Sequence, residues 1–103
     1  MTRADLHSFL SSTTALGRTT TLFRENGLRT LLLHLNAGEQ IPEHQTRGAI
    51  TVQCLKGAAI FLSGDERADL TMGLLLSLAP GIPHSVAAHE DTLLLVTISE
   101  QIV

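Results

Sequence analysis

Apolar residues along this chain fall in short runs rather than long periodic stretches. Leu28 to Leu35, Ile50 to Leu55, Ala58 to Leu62, Leu74 to Leu78 and Leu93 to Ile98 each span five to eight residues. Most are closed by turn-forming residues: Ala37-Gly38, Lys56-Gly57, Ser63-Gly64-Asp65 and Ala79-Pro80-Gly81. Ahead of them, Thr19 to Arg24 is rich in β-branched and aromatic residues and leads to Asn26-Gly27, a strong hairpin-turn signal. Leu31-Leu32-Leu33 or Leu74-Leu75-Leu76 alone would suit a helix. Helices this short are marginal, however, whereas strands buried on both faces read as continuous apolar runs. Turn signals about every ten residues are the rhythm of an all-β sandwich or barrel.

The first residues follow another period. Leu6, Phe9 and Leu10 recur at helical spacing, with Thr2 or Asp5 near the start as a cap, and Ser11-Ser12-Thr13-Thr14 reads as a loop. The expected organisation is an N-terminal arm over residues 1–14 and a β-barrel domain over 15–103. The arm is expected to pack over a barrel end or onto a second subunit. Strands that are apolar on both faces leave leucines outside a barrel, and these need a cover, so a homodimer is expected.

Composition narrows the function. The 103 residues suffice for one core; 44% are apolar and 17% charged. A net charge of −3, scattered basic residues and the absence of Trp and Tyr argue against nucleic acid or an anionic membrane as partner. No apolar stretch approaches the roughly 20 residues of a membrane span, and Met1 to Asp5 starts no signal peptide. The single cysteine, Cys54, excludes an internal disulfide and lies in an apolar run, as a buried inert thiol would. The expected location is the cytoplasm.

Two glycine-punctuated stretches carry the candidate chemistry. In the first, Gly38 precedes His44 by six residues and a strand-like run ends at Gly57. In the second, Gly73 is followed by Pro80-Gly81-Ile82-Pro83-His84. These spacings resemble the two motifs of the cupin family, G-x5-H-x-H with a later E and G, and G-x5-P-x-G-x2-H-x3-N. The resemblance spans roughly Thr19 to Ile98 and implies a double-stranded β-helix, a jelly-roll barrel of the RmlC-like type, with His44 facing His84.

The resemblance also implies a metal site, which this chain carries only in part. In the family three histidines and a glutamate hold a divalent ion, commonly Fe, Mn, Ni or Zn. Here Thr46 stands at the second histidine, Ile50 at the glutamate, and Ala79 and Ala88 at the second motif's Pro and Asn. His44 and His84 remain as metal ligands. Two imidazoles bind weakly when three or four donors are the norm, and Ile50 makes the site more apolar. The possible extra donors are His34 and Gln53. Strand alternation turns His34 outward, between the inward Leu33 and Leu35, and brings Gln53 to the site only if the register shifts by one. His7 and His89 read as surface residues. Glu43-His44 makes a poor acid/base pair because neighbours on a strand face opposite ways, and nothing places a base or an oxyanion hole around Ser85.

Three functions are compatible with these residues. One is a binding barrel for a small, largely uncharged molecule, its cavity lined by His44, Thr46, Ile50, Val52, Leu62, His84 and Val86, with a degenerate metal site. The second is a metal-dependent dioxygenase, isomerase or lyase, as the resemblance implies. The third is a ligand-sensing module for a partner protein. The absence of inward Arg and Lys argues against a strongly anionic ligand.

Overall fold

The computed structural model describes residues 1–13 and 16–100. Among them are one helix, α1 (Leu6–Leu10), and nine strands: β1 (Thr19–Glu25), β2 (Leu28–Leu35), β3 (Gln40–His44), β4 (Ile50–Lys56), β5 (Ala58–Ser63), β6 (Glu66–Thr71), β7 (Leu75–Leu78), β8 (His84–Ala88) and β9 (Thr92–Ser99). They form a five-stranded sheet in the order β1-β2-β9-β4-β7 and a four-stranded sheet in the order β3-β8-β5-β6. All pairings are antiparallel. From β2 onward the chain crosses between the sheets at every step except the β5–β6 hairpin, which is the winding of a jelly roll. The expected all-β architecture is therefore present.

Local chemistry explains the turns. Asn26 and Gly27 both adopt positive φ, 55° and 76°, as the tight turn between β1 and β2 demands. Gly57 joins β4 to β5 at φ 97°, and a Cβ there would lie 2.3 Å from the Asp91 carbonyl oxygen. Only glycine permits both the conformation and the approach.

Alternation then sorts the side chains. Leu31, Leu33, Leu35, Val52, Cys54, Leu94 and Val96 of one sheet meet Phe61, Leu70, Val86 and Ala88 of the other in a single core. The charged segment Glu66–Thr71, which lacks a continuous apolar run, is nonetheless strand β6. It sits at a sheet edge, where charges are tolerated, and turns Leu70 into the core.

The outer face of the five-stranded sheet is also apolar, with Leu32 and Leu93 fully buried. The arm crosses it: Thr2, Arg3, Ala4 and Leu6 share a cleft with Leu22, Phe23, Thr30 and Leu95. Helix α1 is capped by Asp5, whose side chain accepts from the His7 amide. Further along, Thr13 Oγ1 donates to Asp91 Oδ2 over 3.0 Å. The arm thus lies on the face of its own sheet, rather than over a barrel end, because the outward leucines of β2 and β9 offer it an apolar seat. The expected boundary between arm and barrel, at residues 14 and 15, falls outside the described residues. Among the described residues no helix is long and apolar enough to cross a membrane.

Candidate functional site

The site is built on the pairing of β3 with β8. Register runs Gln40 with Ala87 and Ile41 with Val86, then shifts so that His44 pairs with His84. The shift is a bulge at Pro42-Glu43. Proline has no N–H to give the ladder, which is why the interruption falls there. The extra residue turns His44 to the same face as Ile41, while Glu43 and Gln45 are exposed. The Thr46 carbonyl accepts from the Gly81 amide at 2.9 Å, so the loop of the second glycine stretch is fastened beside the first.

The two imidazoles are held alike. His44 Nδ1 lies 3.1 Å from the Pro42 carbonyl and His84 Nδ1 lies 2.9 Å from the Ile82 carbonyl. A carbonyl only accepts, so each Nδ1 carries a hydrogen and donates it. Each Nε2 has no partner among the described residues. The rings meet edge to face, with centroids 4.3 Å apart and planes at 63°. His84 is 4% exposed, whereas His44 is exposed at the mouth. Burial lowers the pKa of His84, opposed by its bond to Ile82 and reinforced by the charge of His44.

Behind the pair lies a cavity of about 180 Å³, lined by His44, Thr46, Ile50, Val52, His84 and Val86 together with Leu33, Phe61, Leu94 and Val96. Six of the seven expected lining residues are therefore brought together. The seventh, Leu62, is not among them. It is 45% exposed, because β5 pairs Phe61 with Val86 and Leu62 with Ser85, so Phe61 takes the inward place. No local pattern separates these two neighbours; the pairing of Phe61 with Val86 decides between them.

The proposed extra donors are also elsewhere. Gln53 faces Leu95 and Leu75 on the outer side of β4, with no shift in register to bring it inward. His34 points out of the same sheet as expected. There Nε2 lies 2.6 Å from Asp91 Oδ1, and Lys56 Nζ and Thr13 Oγ1 meet the other oxygen. His7 and His89 are exposed. Cys54 is buried and inward, and burial raises its thiol pKa.

The donor set falls short of a protein-held metal centre. Among the described residues no three His, Cys, Asp or Glu side chains converge. Thr46 Oγ1 donates its hydrogen to the Gly48 carbonyl, and Ile50 is a buried hydrocarbon. Two neutral imidazoles do not fit the three or four donors a first-row ion normally takes.

Comparison with solved structures places the fold. A cupin-2 domain protein from Shewanella frigidimarina superimposes with a TM-score of 0.78 over 93% of each chain, at 12% identity. An RmlC-like cupin from Desulfovibrio desulfuricans gives 0.72 over 82% of each chain at 25% identity. The fold is that of a small cupin. A salicylate 1,2-dioxygenase (a G106A mutant) from Pseudoaminobacter salicylatoxidans shares this cupin fold, with a TM-score of 0.68 at 22% identity over 71% of this chain and 21% of that one. No family model and no curated protein matches the sequence. Against the cupin motifs, the spaced glycines are kept, Ala79 replaces the second motif's proline, and His44 and His84 stand at two of the four ligand positions that the resemblance implies.

Proposed function

We propose that this cupin binds a small, uncharged organic molecule in its cavity. The observation that carries this reading is a partly open, apolar cavity of about 180 Å³ into which few polar groups project, chiefly two histidines at one end. Ligand sites generally take this form. The inward faces bear no Arg or Lys to neutralise an anion. A cytoplasmic location accords with a lone reduced cysteine, Cys54. The test is a screen of neutral fragments by amide and methyl NMR. Binding is expected to shift Val52, Leu94 and Val96, and a screen that shifts none of them would reject the reading.

A second reading is a metal-dependent dioxygenase, isomerase or lyase. One observation favours it: imidazole centroids 4.3 Å apart suit neighbouring ligands of one ion, since opposed ligands at about 2.1 Å would separate the rings by about 6 Å. It requires donors from the substrate or from water. Metal analysis of tag-free protein beside its His44→Ala and His84→Ala variants decides it. Substoichiometric metal that neither substitution changes would remove it.

A further inference from the structure

The polar end of the cavity is one-sided. His84 Nδ1 spends its hydrogen on the Ile82 carbonyl and His44 Nδ1 spends its own on the Pro42 carbonyl. With its one hydrogen at Nδ1, each imidazole has a lone pair at Nε2 and nothing further to donate. Thr46, the nearby hydroxyl in the lining, gives its hydrogen to the Gly48 carbonyl and also keeps only acceptor capacity. Apart from Thr19, the rest of the lining is hydrocarbon: Ile50, Val52, Phe61, Val86 and Leu94 among them. The neighbouring Gly81 amide is already bound to the Thr46 carbonyl. The His84 ring is itself held in place by stacking on Phe61, with centroids 5.4 Å apart.

We infer that the ligand is a hydrogen-bond donor: a compact neutral molecule whose single hydroxyl or N–H points at the Nε2 atoms of His84 and His44, with an apolar body filling the cavity. The inference rests on the small-molecule-binding reading and specifies its ligand. Size follows from volume. An apolar cavity of about 150 Å³ takes one benzene, so about 180 Å³ admits one ring bearing a small substituent. A phenol is the simplest member of the class. An aldehyde or ketone of the same size is disfavoured, because its oxygen would face the two Nε2 lone pairs with no hydrogen between them.

The test uses the full chain, stripped of metal with a chelator, titrated with phenol, benzaldehyde and toluene and followed by NMR at Val52, Leu94 and Val96. Phenol is expected to bind at least about tenfold more tightly than benzaldehyde, because benzaldehyde leaves buried acceptors unpaired. In His84→Phe, which keeps a ring beside Phe61 but removes the acceptor, that preference is expected to vanish while toluene still binds. His44→Phe, at the exposed mouth, serves the same purpose if the buried substitution prevents folding. A preference below tenfold in the wild-type protein, or one that survives both substitutions, overturns the donor inference and leaves the binding reading standing. If none of the three compounds shifts the cavity residues, the binding reading falls and the inference falls with it.

Discussion

The His84 ring lies nearly parallel to that of Phe61, with planes 13° apart and centroids separated by 5.4 Å. The histidine is thus part of the core as well as part of the site. Removing it strips a contact from Phe61, leaves the Ile82 carbonyl without its donor and enlarges the cavity. His84→Ala is expected to cost about 2–3 kcal/mol of stability. His44→Ala, at the exposed mouth, is expected to stay within about 0.5 kcal/mol of wild type. Urea denaturation of the two variants checks this, and equal losses would show that the pair shares one structural role.

Thr46 lines the cavity beside the two imidazoles, so a histidine there would supply a third nitrogen. Thr46→His is expected to raise affinity for Zn or Mn at least about tenfold, measured by calorimetry after chelator treatment. Stoichiometric tight binding by the wild-type protein would contradict the two-donor reading.

Asp91 ties the arm to the barrel. Its carboxylate meets His34, Lys56 and Thr13, and these bonds hold its pKa below the usual value, with that to His34 contributing most. A folded pKa below the unfolded one means the stabilisation is present above about pH 4 and is lost as pH falls through the folded value. Asp91→Asn is therefore expected to be less stable than wild type at pH 6, with the gap narrowing as pH falls below 3.8, the unperturbed value, and closing only below the still lower folded value. Thermal melts across this range measure it. A gap that stays constant with pH would assign the loss to packing instead.

Cys54 is 0% exposed, and burial raises its thiol pKa. Reaction with a soluble thiol reagent is expected to be at least about 100-fold slower in the folded protein than in denaturant, because the thiolate is the reactive form. Comparable rates would mean that this part of the core opens readily.

Leu75, 61% exposed, lies on β7, at the free edge of the five-stranded sheet, close in sequence to Met72, 79% exposed. A homodimer that covers this edge is the expected state in solution. Light scattering should give a mass twice the 11.1 kDa of one chain, falling toward one chain in Leu75→Glu. A wild-type mass near 11 kDa at micromolar concentration rejects it.

What the sequence determined by itself is the frame. The turn at Asn26-Gly27, the closure at Gly57 and the strands on either side are local events, governed by φ angles and by alternation over a few residues, so they are legible without coordinates. The partnership of His44 with His84 was legible only as what the resemblance to the cupin motifs implied. What only the tertiary structure decided is which side chain stands next to which. Leu62 and Phe61 are neighbours of similar hydrophobicity, and only the register of β5 against β8 selects Phe61 for the cavity. The bulge at Pro42-Glu43 resets the face of His44 through pairing with a strand some 40 residues away. His34 finds Asp91 across a separation of 57 residues, a contact no local pattern encodes. The direction of both Nδ1 hydrogens, and with it the acceptor character of the cavity, depends on two backbone carbonyls whose placement exists only in the folded chain.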